Sequence, residues 1–385
     1  MYIKVDTSEL KRAVSITKKA LPKVIIQEER GHLFVKVFKN DTDQKVYFSA
    51  TNNDLKASVC INAYEASDSF SFTVDPVILE KLLTKSDSNN TVIELNKEDL
   101  TIKVYTSDNK KSFNTMQTFP TDKMLTFNTT TDGRKEYYVN RAVLLSALEY
   151  GFKYLSPIKD DKKQFDFIII NKGISYAANG MNKMGFFISN EFKDIINYRI
   201  RKIMVPYLIS NLKLINNDKI ALIEDEKNTG ISINDSVYFS CLNSTIESPK
   251  IMTDLIKGDA PYTKIDKNAL KKAMERLTVS STTAAGITLK LEGTEQATLE
   301  MELISNLKNV ETLNCTRLNE TEYLTTEHVI DYSLFKSIMS SFEDKDIKLY
   351  INDTSRFFKI NSSGEIETIK YLAIGLGSYS KVVKQ

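Results

Sequence analysis

Apolar and polar residues alternate with period two in Tyr2-Ile3-Lys4-Val5-Asp6, the pattern of a half-buried strand. The spacing then changes. Leu10-Lys11-Arg12-Ala13-Val14 sets its apolar residues three and four apart, which predicts an amphipathic helix with Thr7 or Ser8 as N-cap. This Leu-x-x-Ala-Φ signature, where Φ is apolar, returns at Leu144-Leu145-Ser146-Ala147-Leu148 behind Asn140. It returns again at Leu270-Lys271-Lys272-Ala273-Met274 behind Asp266, so the separations are 134 and 126 residues.

A second short helix follows each of these, over residues 75–83, 206–212 and 331–339. Aligning Ile78, Leu208 and Leu334 gives separations of 130 and 126. The chain between the helices reads as strands, among them His32-Leu33-Phe34-Val35-Lys36-Val37, Phe165-Asp166-Phe167-Ile168-Ile169-Ile170 and Gly286-Ile287-Thr288-Leu289-Lys290-Leu291. Polar turns such as Asn171-Lys172-Gly173 bound them, and further strands follow each second helix, as at residues 91–95 and 101–105.

One third of the 385 residues is about 128, so repeat period and length agree. They predict three similar α+β domains rich in antiparallel strands, over residues 1–123, 124–258 and 259–385. An apolar fraction of 42% and a charged fraction of 26% are those of a packed globular chain. No apolar run reaches 18 residues, and the N-terminus lacks the basic and apolar regions of a leader, so a cytoplasmic protein with no membrane partner is expected. Cys60, Cys241 and Cys315 are odd in number and far apart, which fits reduced thiols.

The chemistry the residues exclude is broad. With His32 and His328 the two histidines present, 296 positions apart, a His-rich zinc site has no donors, and neither lies near a nucleophile elbow. There is no Gly-Lys-Ser/Thr loop, no Gly-x-Gly-x-x-Gly turn and no Cys-x-x-Cys pair. Acidic clusters such as Asp160-Asp161-Lys162-Lys163 mix carboxylates with lysines, as solvated turns do. No catalytic residue, metal ligand or cofactor is assigned from these patterns.

Local motifs then point to a family. Ala50-Thr51-Asn52-Asn53-Asp54-Leu55, Phe119-Pro120, the stretch Ser175 to Asn182 and Ile203-Met204-Val205-Pro206 each resemble segments of the bacterial β sliding clamp of replicative DNA polymerases. So do Thr326 to Tyr332 and the tail Lys370-Tyr371-Leu372-Ala373-Ile374-Gly375-Leu376. The resemblance spans nearly the whole chain. Asn179, Met181 and Asn182 replace the family's usual Asp, His and Arg, and Gly375 stands where proline is usual, as expected of a distant, virus-encoded member.

The resemblance implies a clamp-type fold of three tandem domains, with helices lining a bore and antiparallel sheets outside. It implies a non-enzymatic processivity factor, a head-to-tail homodimer ring around double-stranded DNA, opened by a clamp loader and tethering a DNA polymerase. Such a ring needs affinity for phosphates without base readout, for which the repeat helices offer Lys11, Arg12, Lys18 and Lys19, Arg141 and Lys153, and Lys267, Lys271, Lys272 and Arg276. Carried over by position, the family's partner-peptide pocket falls on Ala178, Gly180, Met181, Asn182, Pro249, Leu372, Ile374, Gly375 and Leu376. Its subunit interface falls on Phe113, Met116, Leu277 and Val279. Two other readings stay open: a clamp-fold scaffold not loaded on DNA, and a nucleic-acid enzyme, which would need convergent carboxylates for Mg²⁺.

Overall fold

Asp6 ends the first strand and starts the first helix, its carboxylate accepting from the backbone N–H groups of Ser8 and Glu9 at 2.8 and 2.9 Å. Thr7 and Ser8, the expected caps, are therefore the first helical residues. The aspartate one position earlier already takes the orphan donors, and the Thr7 hydroxyl turns inward to Thr91 at 2.9 Å. Asn140 and Asp266 cap the corresponding helices as expected, accepting from Ala142 and Ala269 at 2.8 and 2.7 Å.

The computed structural model describes residues 1–22, 31–52, 55–106, 112–121, 134–155, 166–179, 183–214, 218–225, 228–233, 236–242, 262–279, 287–292, 295–302, 308–318, 325–351, 357–362 and 369–383. One order of elements runs through them three times. The first run is β1 (Tyr2–Asp6), α1 (Thr7–Thr17), β2 (Leu33–Lys39), β3 (Gln44–Thr51), β4 (Leu55–Ala66), β5 (Phe70–Val74), α2 (Pro76–Thr84), β6 (Asn90–Asn96), β7 (Thr101–Tyr105) and β8 (Asn114–Gln117). The second is β9 (Lys135–Asn140), α3 (Arg141–Phe152), β10 (Phe167–Asn171), β11 (Ile174–Asn179), β12 (Lys183–Ser189), β13 (Tyr198–Arg201), α4 (Val205–Leu212), β14 (Lys219–Glu224), β15 (Asn228–Ile233) and β16 (Val237–Leu242). The third is β17 (Tyr262–Asp266), α5 (Lys267–Leu277), β18 (Ile287–Glu292), β19 (Gln296–Glu302), β20 (Lys308–Leu318), β21 (Thr325–Ile330), α6 (Tyr332–Met339), β22 (Asp346–Ile351), β23 (Phe357–Ser362) and β24 (Ile369–Val383).

Contacts group the chain into two compact units, one of Met1–Ala142 with Ile203–Ser244, the other of Val143–Lys202 with Thr245–Gln385. Among the described residues each holds one twelve-stranded sheet with antiparallel pairings. The expected domain boundaries at 123/124 and 258/259 lie outside the described residues. In the first unit the strands run β8-β7-β6-β1-β4, with β4 continuing both to β3-β2-β5 and to β16-β15-β14-β9. In the second, β13-β10-β11-β12 joins β24, which continues through β21-β18-β19-β20-β17-β22 to β23 and pairs with β23 as well.

Burial follows the alternation seen in the sequence: Ile3 and Val5 of β1 are fully buried beside Leu10, Ala13 and Val14 of α1. The predicted turn Asn171-Lys172-Gly173 is real. Lys172 and Gly173 have φ of 47° and 89°, the left-handed pair that a tight hairpin between β10 and β11 needs.

Candidate nucleic-acid interface

Each repeat helix buries its Leu-x-x-Ala-Φ stripe against its sheet, so its polar residues are left on the outer face. On α1 that face carries Lys11 and Arg12, and Lys18 and Lys19 follow in the 3₁₀ turn after it; on α5 it carries Lys271, Lys272 and Arg276.

The ten basic residues expected to meet DNA divide by what already engages them. Arg12 pairs with Glu9 at 2.8 Å, Lys18 pairs with Glu80 of α2, and Arg276 forms a two-pronged pair with Glu311 at 2.7 and 2.8 Å. That guanidinium holds the Glu311 carboxyl below the usual carboxylate range. The Arg141 guanidinium donates to the Leu212 carbonyl at 2.9 Å, satisfying the last turn of α4. Lys153 and Lys267 donate to the carbonyls of Ser341 and Phe342 at 3.2 and 2.6 Å, just past the C-terminus of α6, where a helix end favours cations. Lys11, Lys19, Lys271 and Lys272 make no ion pair among the described residues. These four are the cations most available to an external phosphate.

Two exposed lysines escape the sequence reading, Lys81 on α2 and Lys336 on α6, because the basic first-helix signature does not register second helices. Aligning the second helices on Ile78, Leu208 and Leu334 is the signal that finds Lys336, since it sets Glu80, Ser210 and Lys336 at one position.

Of the expected partner pocket, Gly180, Met181, Asn182 and Pro249 lie outside the described residues. Ala178 does not line an open pocket: at 4% exposure it belongs to a core cluster with Phe167, Ile169, Tyr176, Met184 and Phe186. Leu372, Ile374, Gly375 and Leu376 lie on β24, where the backbone register places Ala178, Met184 and Ile374 side by side across β11, β12 and β24. Strand pairing thus brings the tail to the segment that the motifs had coupled it with.

The four expected interface residues split in two. Met116 on β8 and Leu277 on α5 are buried within their own units, whereas Phe113 and Val279 stand 46% and 85% exposed. Phe113 precedes the edge strand β8, beneath the Lys103 ammonium at 4.7 Å from its ring centroid. Val279 follows α5 close to β20, where Asn309 donates to the Leu277 carbonyl at 3.0 Å and Val310 is 53% exposed.

Burial pushes the Cys60 thiol up, and the Cys241 side chain lies outside the described residues. Among the described residues no cluster of three or more His, Cys, Asp or Glu is placed to hold a metal, and no helix is long and apolar enough to cross a membrane.

No protein-family model and no curated relative matches the sequence. Solved structures do. The DNA polymerase III β subunit of Thermotoga maritima is 16% identical with a TM-score of 0.75, over 98% of this chain and 99% of that one. The β subunit of Pseudomonas aeruginosa is 11% identical with a TM-score of 0.79, over 98% and 99%. A DNA polymerase sliding clamp of Caulobacter crescentus is 12% identical with a TM-score of 0.79, over 98% and 100%. The α+β fold anticipated from the repeats is therefore the fold observed, that of the bacterial DNA polymerase III β sliding clamps.

Proposed function

We propose that this protein is a DNA sliding clamp, a processivity factor that encircles duplex DNA without turnover and tethers a DNA polymerase. The observation that carries the reading is how the repeats join. Residues 55–59 of β4 pair with 237–241 of β16, and residues 183–189 of β12 pair with 369–375 of β24. In both junctions the fourth strand of one run meets the last strand of the next. The third run has the same strand to offer: residues 308–314 of β20 pair with β19 on one side, and no strand pairs their other edge among the described residues. At the start of the chain, β8 pairs only with β7 among the described residues.

Two open edges of matching kind favour a second copy, β20 of one chain against β8 of the other, antiparallel like the two internal junctions. Phe113, Val279 and Val310 flank these edges and supply apolar area to the contact. A closed head-to-tail ring of three-domain subunits follows, with the helices facing DNA through Lys11, Lys19, Lys271 and Lys272. Lysines suit that task as hydrated point charges that neutralise phosphate without fixing a register. A clamp loader opens the ring, and partner peptides dock beside β24.

The test is retention on nicked circular DNA compared with the same DNA linearised. A clamp loaded on the circle stays through a high-salt wash and escapes from the linear ends. Protein that leaves both at the same rate, or binds neither, overturns the reading and favours a scaffold built on the clamp fold.

A further inference from the structure

In the second unit α5 and α6 lie antiparallel. The Thr278 and Tyr332 hydroxyls meet at 3.4 Å at one end, and the Lys267 ammonium reaches the Phe342 carbonyl at the other. The groove between the helices encloses about 190 Å³. Buried Met274 and Met339 floor it, and its rim carries the ammonium groups of Lys267, Lys271 and Lys336 against the single carboxylate of Glu275. Lys271 and Lys336 are exposed and make no ion pair among the described residues. Lys336 leans on Tyr332, its ammonium 3.3 Å from the phenol oxygen and 5.5 Å from the ring centroid.

The matching helices of the first unit show that this charge is not simply part of the repeat. Superposing the N-caps Asp6 on Asp266 and Asp75 on Asp331 sets Lys11 against Lys271, Lys18 against Thr278 and Glu80 against Lys336. Between α1 and α2 the acid at that position is taken up by Lys18, so the pair is internally neutral. Between α5 and α6 both members are reversed: the acid has become a lysine and its cationic partner a threonine. Two amines thus face one groove with no acid opposite them at those positions.

The geometry points to a discrete seat for one backbone phosphate of DNA in this groove, held between Lys271 and Lys336, with the adjoining sugar over the methionine floor. The inference rests on the sliding-clamp reading and sharpens it: the third repeat holds a defined phosphate contact that the first repeat has neutralised. Lys267 is left out of the seat, since its ammonium is committed to the Phe342 carbonyl.

The experiment is a salt titration of full-length protein binding to a short labelled duplex. Each phosphate that the protein neutralises contributes about 0.9 to the slope of log K against log [salt]. With one phosphate shared by the two amines, the double variant Lys271→Ala/Lys336→Ala lowers the slope by about 0.9 and neither single variant lowers it by more, while Lys336→Arg keeps the wild-type slope. Lys193→Ala, an exposed lysine on the turn after β12, leaves the slope unchanged and controls for net charge. A double variant with the wild-type slope overturns the seat and leaves the clamp reading standing. Wild-type protein that does not bind duplex even at low salt overturns both.

Discussion

Tyr154 shows how much one side chain ties together. Fully buried, it has its hydroxyl within hydrogen-bond reach of Ser341 and of Tyr150, the latter at 3.2 Å, and the Lys183 ammonium sits 4.8 Å from its ring centroid. Gly185 makes room for the ring, because a Cβ there would lie 2.3 Å from it. None of this is legible in the sequence, since Tyr154, Gly185 and Ser341 come from three distant segments with no shared motif. Burial pushes the Tyr154 phenol up to about 12. The unfolded chain releases that proton near pH 10, so the stabilisation is fully present below pH 10 and is lost as pH rises toward 12. A two-unit shift is worth about 3 kcal/mol. Tyr154→Phe is therefore expected to be about 1–2 kcal/mol less stable than wild type at neutral pH, having lost hydroxyl bonds, yet flatter between pH 10 and 12. Urea unfolding at both pH values measures this, and an equally steep alkaline loss in the variant would remove Tyr154 as its source.

At the scale of elements the sequence was legible wherever a local rule decides the outcome. The helices start at caps such as Asn140, Asp266 and Asp331, and their Leu-x-x-Ala-Φ stripes face inward because a 3.6-residue period leaves one face apolar. The sequence does not show which strand edges remain open, because pairing between β4 and β16 joins residues about 180 positions apart and obeys no local signal. Met116 and Leu277 were misjudged for the same reason: an apolar residue near a helix or strand end reads alike whether it faces core or partner. The edge of β20 that no strand pairs among the described residues carries its own prediction. Val310→Asp places a charge in the apolar flank of the proposed contact while sparing the core, so thermal stability of the isolated chain should change by no more than about 0.5 kcal/mol. Light scattering should show mass falling from twice 43.8 kDa toward 43.8 kDa at the same concentration. An unchanged mass would place the subunit contact elsewhere.

Over the whole molecule a formal charge of +2 conceals an uneven distribution, because acids and bases cancel in the sum and not in space. Arg12, Lys18 and Arg276 are paired with carboxylates, and Arg141, Lys153 and Lys267 satisfy carbonyls at helix ends, so these six hold the fold together as much as they project a field. Lys11, Lys19, Lys271 and Lys272 have no such duty. Lys271 and Lys272 are exposed and Lys11 and Lys19 half-buried, so replacing all four with glutamate should leave the unfolding midpoint near that of wild type, since unpaired surface charges contribute little to stability. Retention on circular DNA should fall sharply, with the salt slope reduced by up to about 3.6. Replacing Arg141 and Lys267 with glutamate should do the opposite, lowering stability through the carbonyls left unsatisfied before any effect on DNA is read. Measuring both sets by thermal unfolding and by retention separates cations that build the protein from cations proposed to meet DNA. If the two sets behaved alike, the division drawn from their partners would be wrong and the proposed DNA surface would be overturned.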